Sequence, residues 1–240
     1  MSDRIAIVAA LEREIKPLFK DWHVSVREHD GRRFKFFESD HMVAVCGGIG
    51  GQAARRACEA IIMLYQPALV ISAGFAGALE SSIEPGSGFS PRTVIDARDG
   101  SRTDTGFGVG TLVTVDFVAA PEQKKKLAKS YGAQAADMEA AAVARGAQAR
   151  NIPFRAVKAI SDSLDFVLPP IDRFVGSDGR LQTAKLIVYV ICRPRFWRPM
   201  IQLARQSSRA CNTLCKQLQH FGEAADEKFN LHPTGATAHH

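Results

Sequence analysis

The sequence predicts an α/β fold built in layers. Three observations carry that prediction. Short apolar runs such as Ile5 to Ala10 (IAIVAA) and Ala68 to Ser72 read as buried strands. Segments with apolar residues at helical spacing lie between them, above all Gln52 to Tyr65, with Ala53, Ala57, Ala60, Ile61 and Leu64 on one side. Strands alternate with helices along the chain, the order that layers of helix on sheet require. With 240 residues, of which 46% are hydrophobic, the chain is long enough for one substantial core.

Taken in order, Ile5 to Ala10 is the first strand, and Leu11 to Phe19 is a helix with Glu12 and Glu14 near its start. Arg33 to Glu38 and Met42 to Cys46 read as paired strands, with turn signals at Asp30-Gly31 and Ser39-Asp40. Gly47 to Gly51 is a glycine loop feeding the helix Gln52 to Tyr65. The strand Ala68 to Ser72 then runs into a second small-residue loop, Ala73 to Ala78. Ser81 to Gly110 is rich in Gly, Ser, Asp and Pro, with one strand, Thr93 to Ala97, and an Asp99-Gly100 turn. Leu112 to Val118 is a strand, and Pro121 to Tyr131 a basic helix whose Lys124, Lys125 and Lys126 read as a solvated face. Asp137 and Glu139 stand at the mouth of a helix rich in alanine, where acids suit the dipole. That helix stops near Arg150-Asn151, before the breaker Pro153. Phe154 to Ile160 is a strand with Ser161-Asp162 just past its carboxyl end. Ligands of open α/β sheets bind outside such ends, so Glu139 and Asp162 are candidates for one pocket.

Lys185 to Cys192 and Pro199 to Phe221 read as helices broken at Arg193 to Pro199. The expected organisation is a single catalytic domain, 1–222, whose stretch 179–222 is a basic helical segment, and a disordered tail, 223–240. From Gly179 to Gly222 there are eight Lys or Arg and no Asp or Glu, while the whole chain is +6, so the remainder is net −2. Arginines interleaved with Phe196 and Trp197 leave two readings: a packed helix with a basic outer face, or contact of 185–216 with an anionic membrane surface. Without a nucleic-acid-binding module, the same charge does not argue for nucleic acid. Asp3, Arg4 and Glu12 interrupt the apolar start, so no leader is expected, and no apolar run is long enough to span a bilayer. The five cysteines include no C-x-x-C pair, which suits reduced thiols in a cytoplasm.

Gly48-Ile49-Gly50-Gly51-Gln52-Ala53 fits G-x-G-x-x-A, but no acid lies between Ala60 and Leu79, where a dinucleotide site needs one for the ribose. What is left is backbone N–H groups facing an anion or a sugar hydroxyl, or a turn that needs glycine only for its shape. His23, His29, His41 and His220 are scattered, so no metal is expected, and no organic cofactor is implied.

Three carboxylates remain, Glu14, Glu139 and Asp162. Together with IAIVAALEREIKPL, the loop GGIGG, PALVISAGFAGAL and the block ADMEAAAVARGAQARNIPFRAVKAISDSLDF, they resemble the nucleoside phosphorylase/nucleosidase superfamily, nearest its methylthioadenosine/S-adenosylhomocysteine nucleosidase branch. The resemblance implies a three-layer αβα sandwich around a central mixed, twisted sheet. It also implies cleavage of the N-glycosidic bond of a purine nucleoside, adenine before others, carrying a modified 5′ group. On that basis Asp162 is the general acid on the leaving base, Glu139 holds the ribose hydroxyls, and Glu14 positions and activates water. Ser161 orients Asp162, Met138 packs on the ribose, Phe117 stacks on the base and Val118 reads its edge. The glycine loops add Gly48 and Gly50, and Gly74 and Phe75, to the substrate-binding set. A homodimer is the family expectation.

The departures from the pattern also matter. Phosphorylases carry an Arg and a Ser for phosphate around the second small-residue loop, where Ser72 and Phe75 stand here; this argues for water over phosphate. Gly47 replaces a serine of the nucleosidase branch. Gly77 to Leu112 is shortened, which opens the end of the site that holds the 5′ substituent. Hence the alternative: phosphorolysis, with phosphate as co-substrate, of a bulky or lipid-linked nucleoside such as adenosylhopane, as in the similarly compact hopanoid-associated phosphorylases. A non-catalytic nucleoside-binding protein is the second alternative.

Overall fold

The computed structural model describes residues 4–167, 171–174, 176, 179 and 182–231. In chain order, β1 (Ile5–Ala9) leads to a single α-turn, α1 (Glu12–Ile15), and a 3-10 turn, Lys16–Phe19. Pro17 has no N–H to donate, which breaks the single helix expected over Leu11 to Phe19. The strands β2 (His23–His29), β3 (Arg32–Glu38) and β4 (Met42–Cys46) form an antiparallel ribbon, and α2 (Gly51–Tyr65) follows. β5 (Leu69–Ala78) is the central strand. β6 (Gly88–Phe89), β7 (Thr93–Asp96), β8 (Arg102–Asp104) and β9 (Thr111–Thr114) come next, then α3 (Pro121–Tyr131), β10 (Ala135–Asp137), α4 (Ala140–Gln148) and β11 (Phe154–Asp162). The last described elements are α5 (Thr183–Ile191) and α6 (Trp197–Leu231).

All the described strands belong to one mixed sheet, in the order β2-β3-β4-β1-β5-β10-β9-β7-β8, with β11 on the other edge of β5 and β6 beyond it. β5 runs parallel to β1 and β11 and antiparallel to β10. Both faces of the sheet are covered, and the alternation along β1 shows how. Ala6 and Val8 point into a core with Ala57 and Ile61 of α2 and Val143 of α4. Ile5, Ile7 and Ala9 point the other way, into a core with Ile15, Leu18 and the α6 residues Ala210, Leu214 and Leu218. Helices on both faces make the three-layer sandwich.

The second small-residue loop expected at Ala73 to Ala78 is instead the second half of β5. Alanine and glycine are poor strand formers, but here they are paired on both sides, by β11 along Ala73–Gly77 and by β10 at Gly77 and Ala78; strand preference follows that context. Ser161 and Asp162 likewise lie within β11, not beyond it. The register slips between Ile160 and Asp162, so Ser161 is the extra residue of a bulge and Asp162 faces Gly77. Bulges of this kind re-aim a side chain next to a functional site. β9 stops at Thr114, which leaves Phe117 and Val118 outside any strand. β2 was not expected: its outer position leaves Val24 and Val26 exposed, so it lacks a clear one-sided pattern.

Lys124 is only 2% exposed, so the solvated face expected over Lys124–Lys126 does not hold for its first member. α6 runs on to Leu231, past the helix end expected near Phe221; residues 232–240 lie outside the described residues, as does Arg180 of the basic segment. Within 185–216, Ala210, Cys211, Leu214 and Cys215 are core and unavailable to any surface, whereas Ile191, Trp197 and Ile201 stay exposed among arginines. No helix among the described residues is long and apolar enough to cross a membrane. All five cysteines are free thiols.

Gly47 shows how tightly α2 sits on the end of β4. A Cβ there would stand 2.6 Å from Cβ of Ala57 and 2.9 Å from the carbonyl oxygen of Ala53. Restoring the branch's serine, Gly47→Ser, is expected to cost about 1–3 kcal/mol through overpacking, read as a lower urea midpoint. An unchanged midpoint would show that the helix can move away.

Candidate active site

The carboxyl ends of β1, β9, β10 and β11 converge on the middle of β5. β10 arrives antiparallel to β5, so Asp137 at its end comes level with Asp162 at the end of β11. The space between them is a cavity of about 180 Å³, whose lining includes Glu14, Phe75, Phe117, Val118, Met138, Glu139, Ser161 and Asp162. It adjoins a wider groove lined by Arg13, Arg32, Arg33, Lys35 and Arg56 with Val26 and Phe34. Of the residues expected at the site, Gly48, Gly50 and Gly74 are not in the cavity wall. Gly48 borders the groove, while Gly50 and Gly74 act on the carboxylates from behind.

Glu139 is the residue before α4. Its Oε1 accepts the Gly50 N–H at 2.8 Å, and its Oε2 accepts the Met138 N–H at 3.3 Å. The backbone donor of the glycine loop is therefore turned toward this side chain; the anion it faces is Glu139, not a ligand. Burial raises the Glu139 pKa to about 7, with nearby Asp137 adding to the rise.

Glu14 sits in the α-turn after β1 and is 6% exposed. A Cβ at Gly74 would stand 3.1 Å from its Oε2, so the glycine makes room for the carboxylate to lie against β5. That oxygen is buried without a hydrogen-bond partner among the described residues. Burial pushes the Glu14 pKa up to about 8, with Glu139 as the second cause.

Asp162 is 3% exposed. Ser161 Oγ donates to its Oδ1 at 2.6 Å, and the ammonium of Lys124 forms a salt bridge with its Oδ2. Gly77 makes the same allowance here that Gly74 makes for Glu14: a Cβ would stand 3.1 Å from Asp162 Oδ2.

Sequence reasoning missed two lysines. Lys158, fully buried in β11, donates to Asp137 at 2.8 Å and to Ser72 Oγ at 3.1 Å. Asp137 also accepts from Thr114 Oγ1 at 2.6 Å and from the Ala140 N–H at 2.9 Å. A lone lysine inside FRAVKAI was the available signal, because lysine is almost never fully buried unless paired. Lys124 is the other. Its spacing with Leu127, the second buried residue of α3, places both on one helix face. No group of His, Cys, Asp and Glu among the described residues is arranged to hold a metal ion.

A layered α/β sheet with carboxylates gathered at converging strand ends defines a class, and sequence comparison gives that class its family. The model of the phosphorylase superfamily matches residues 4–122 and 107–178, and the chain belongs to that superfamily as an enzyme of the nucleosidase or nucleoside phosphorylase kind. A 5′-methylthioadenosine/S-adenosylhomocysteine nucleosidase of Buchnera aphidicola subsp. Baizongia pistaciae is 27% identical over 200 residues, covering 68% of this chain and 79% of the relative. The solved nucleosidase of Colwellia psychrerythraea 34H, in complex with adenine, aligns at a TM-score of 0.59 and 23% identity, covering 68% of this chain and 84% of that one. A Helicobacter pylori nucleosidase aligns at a TM-score of 0.69 and 16% identity over 93% of this chain and all of its own. At these identities the two structures speak for the fold.

The raised pKa of Glu14 has a consequence for stability. Between its ordinary value of 4.5 and about 8, the folded protein keeps a proton that the unfolded chain releases, so stability falls as pH rises through that window. Glu14→Gln removes this loss. The variant is expected to melt above the wild type at pH 8–9, by a margin that shrinks toward pH 5. A margin that does not change with pH would contradict the assignment.

Proposed function

We propose that the protein hydrolyses the N-glycosidic bond of a purine nucleoside, adenine before others, with a modified 5′ group, and releases the free base. The observation that carries this is the convergence of Glu14, Glu139 and Asp162 on one cavity, with Glu14 Oε2 unpartnered among the described residues. An oxocarbenium-like sugar needs its hydroxyls held, a proton delivered to the departing base, and a nucleophile aimed at the anomeric carbon. Glu139, its two oxygens steadied by backbone N–H groups, holds the ribose hydroxyls. Asp162 faces the base, which stacks against Phe117. Glu14 in its ionised form is the base that takes a proton from water, and its raised pKa of about 8 makes that step favour alkaline pH. Met138 packs on the sugar, and Val118 meets the base edge.

Water suits this site better than phosphate. Ser72 is buried and takes a hydrogen bond from Lys158, and Phe75 gives the cavity wall an apolar ring where a phosphate donor would have to stand. The names of the relatives agree with hydrolysis of adenine nucleosides. A second reading, phosphorolysis of a nucleoside with a bulky 5′ group, has one observation on its side: the arginine-lined groove that adjoins the cavity.

Incubation with methylthioadenosine, S-adenosylhomocysteine, adenosine and inosine, with and without phosphate, separates the two. Phosphate-independent release of free base is expected. Release that requires phosphate would favour the second reading, and binding without any turnover would leave a nucleoside-binding protein. Asp162→Asn is expected to cut kcat about 10²–10⁴-fold with little change in KM; equal losses in kcat and in affinity would show that Asp162 is not the acid.

A further inference from the structure

Asp162 reaches the cavity with both of its oxygens already engaged. The Ser161 hydroxyl donates to Oδ1, the Lys124 ammonium to Oδ2, and Lys124 Nζ also donates to the Ser163 carbonyl at 2.6 Å. Lys124 comes from the first turn of α3, which Pro121 opens, and its side chain passes beside Gly77, where a Cβ would stand 3.4 Å from its Cε. The pair is almost completely buried, and Lys124 is part of the cavity wall. A buried cation without a counter-charge is strongly unfavourable, so α3 and β11 are tied together at this point.

The arrangement poses a chemical problem. A general acid must carry a proton, but a carboxylate that faces an ammonium and accepts a hydroxyl proton is an anion with none to give. The serine hydroxyl is not a proton source under ordinary conditions. Among the described residues, Lys124 is the group on Asp162 that can release one.

We propose that Lys124 and Asp162 work as a dyad in which Lys124 is the positioning and proton-supplying partner, an inference that rests on the nucleoside-cleaving reading above. As the bond from the anomeric carbon to N9 breaks, its electron pair passes into the purine, Nζ of Lys124 gives a proton to Asp162, and Asp162 passes it on to N7. Lys124 is left a neutral amine and Asp162 is again a carboxylate. Water gives its hydroxide to the anomeric carbon and its proton to Glu14, and a proton returns to Lys124 through solvent. No oxidant, metal or further reactant is needed. In the resting site the same ammonium fixes the rotamer of Asp162 and compensates its charge.

The test compares two leaving groups in the wild type, Lys124→Arg and Lys124→Gln. Methylthioadenosine needs a proton on its base to depart. The nitrophenolate of 4-nitrophenyl β-D-ribofuranoside departs without one. Arginine keeps the positive charge on Asp162 but does not surrender its proton; glutamine keeps a neutral donor, so a folding defect in one variant leaves the other to decide. Thermal melting checks that each variant is folded. Both are expected to lose about 10²-fold or more in kcat on methylthioadenosine, with KM within about threefold, while the nitrophenyl riboside is split at close to the wild-type rate. Equal losses on both substrates would make Lys124 a structural residue and overturn the proposal, as would unchanged turnover of methylthioadenosine. A wild type that splits neither substrate would instead sink the functional reading on which the proposal stands.

Discussion

The constraint that organises this protein is the concentration of buried charge around the middle of β5. Glu14, Asp137 and Asp162 are almost inaccessible, Glu139 stands beside them, and two buried lysines answer them. Removing one partner of such a pair costs about 3–5 kcal/mol, because it strands a charge in the interior. The surrounding fold serves this arrangement. Gly74 and Gly77 let two carboxylates lie against the central strand, the Ser161 bulge sets Asp162 opposite Gly77, and the reversed direction of β10 brings Asp137 to the same level. Lys158 answers Asp137 and Lys124 answers Asp162. Among the described residues Glu14 makes no salt bridge, and its pKa is the one pushed to about 8.

Where each carboxylate came from was legible in the sequence. The M-E-A helix start and the strand ending in I-S-D are local patterns, and each acid sits at the end of an apolar element. The groups that balance them were not legible for equally local reasons. Lys124 stands first in a run of three lysines, and such a run usually marks solvent; only its pairing with Leu127 on one face of α3 distinguishes it. Lys158 sits inside a strand pattern, and its partners Asp137 and Ser72 come from distant strands that no local pattern names. The glycine loop leaves two readings in the sequence, N–H groups facing an anion or sugar hydroxyl and a turn that needs glycine only for its shape. The fold instead turned the Gly50 N–H onto Glu139, a contact across 89 residues that no local pattern encodes.

The layer architecture was read from the alternation of strands and helices, and its errors fall where pairing overrides composition. AGFAGA looks like a loop by composition, yet it forms the strand that carries the site, because β10 and β11 supply its hydrogen bonds. β2 escaped notice because an outer strand needs no apolar face. In the C-terminal segment the expected basic outer face coexists with a core stripe, since α6 commits Ala210, Leu214 and Leu218 to the lower layer and leaves Trp197 and Ile201 outside. Four of the basic residues, Arg198, Arg205, Arg209 and Lys216, thus belong to a helix that is also part of the sandwich.

The central claim is that the three carboxylates surround one nucleoside. A crystal structure with a non-hydrolysable adenine nucleoside analogue tests it most directly. The account predicts the ribose hydroxyls on Glu139, the purine between Phe117 and Asp162, and a water or its mimic at Glu14 Oε2. An analogue seated elsewhere, with Glu14, Glu139 and Asp162 untouched around an empty cavity, would contradict it.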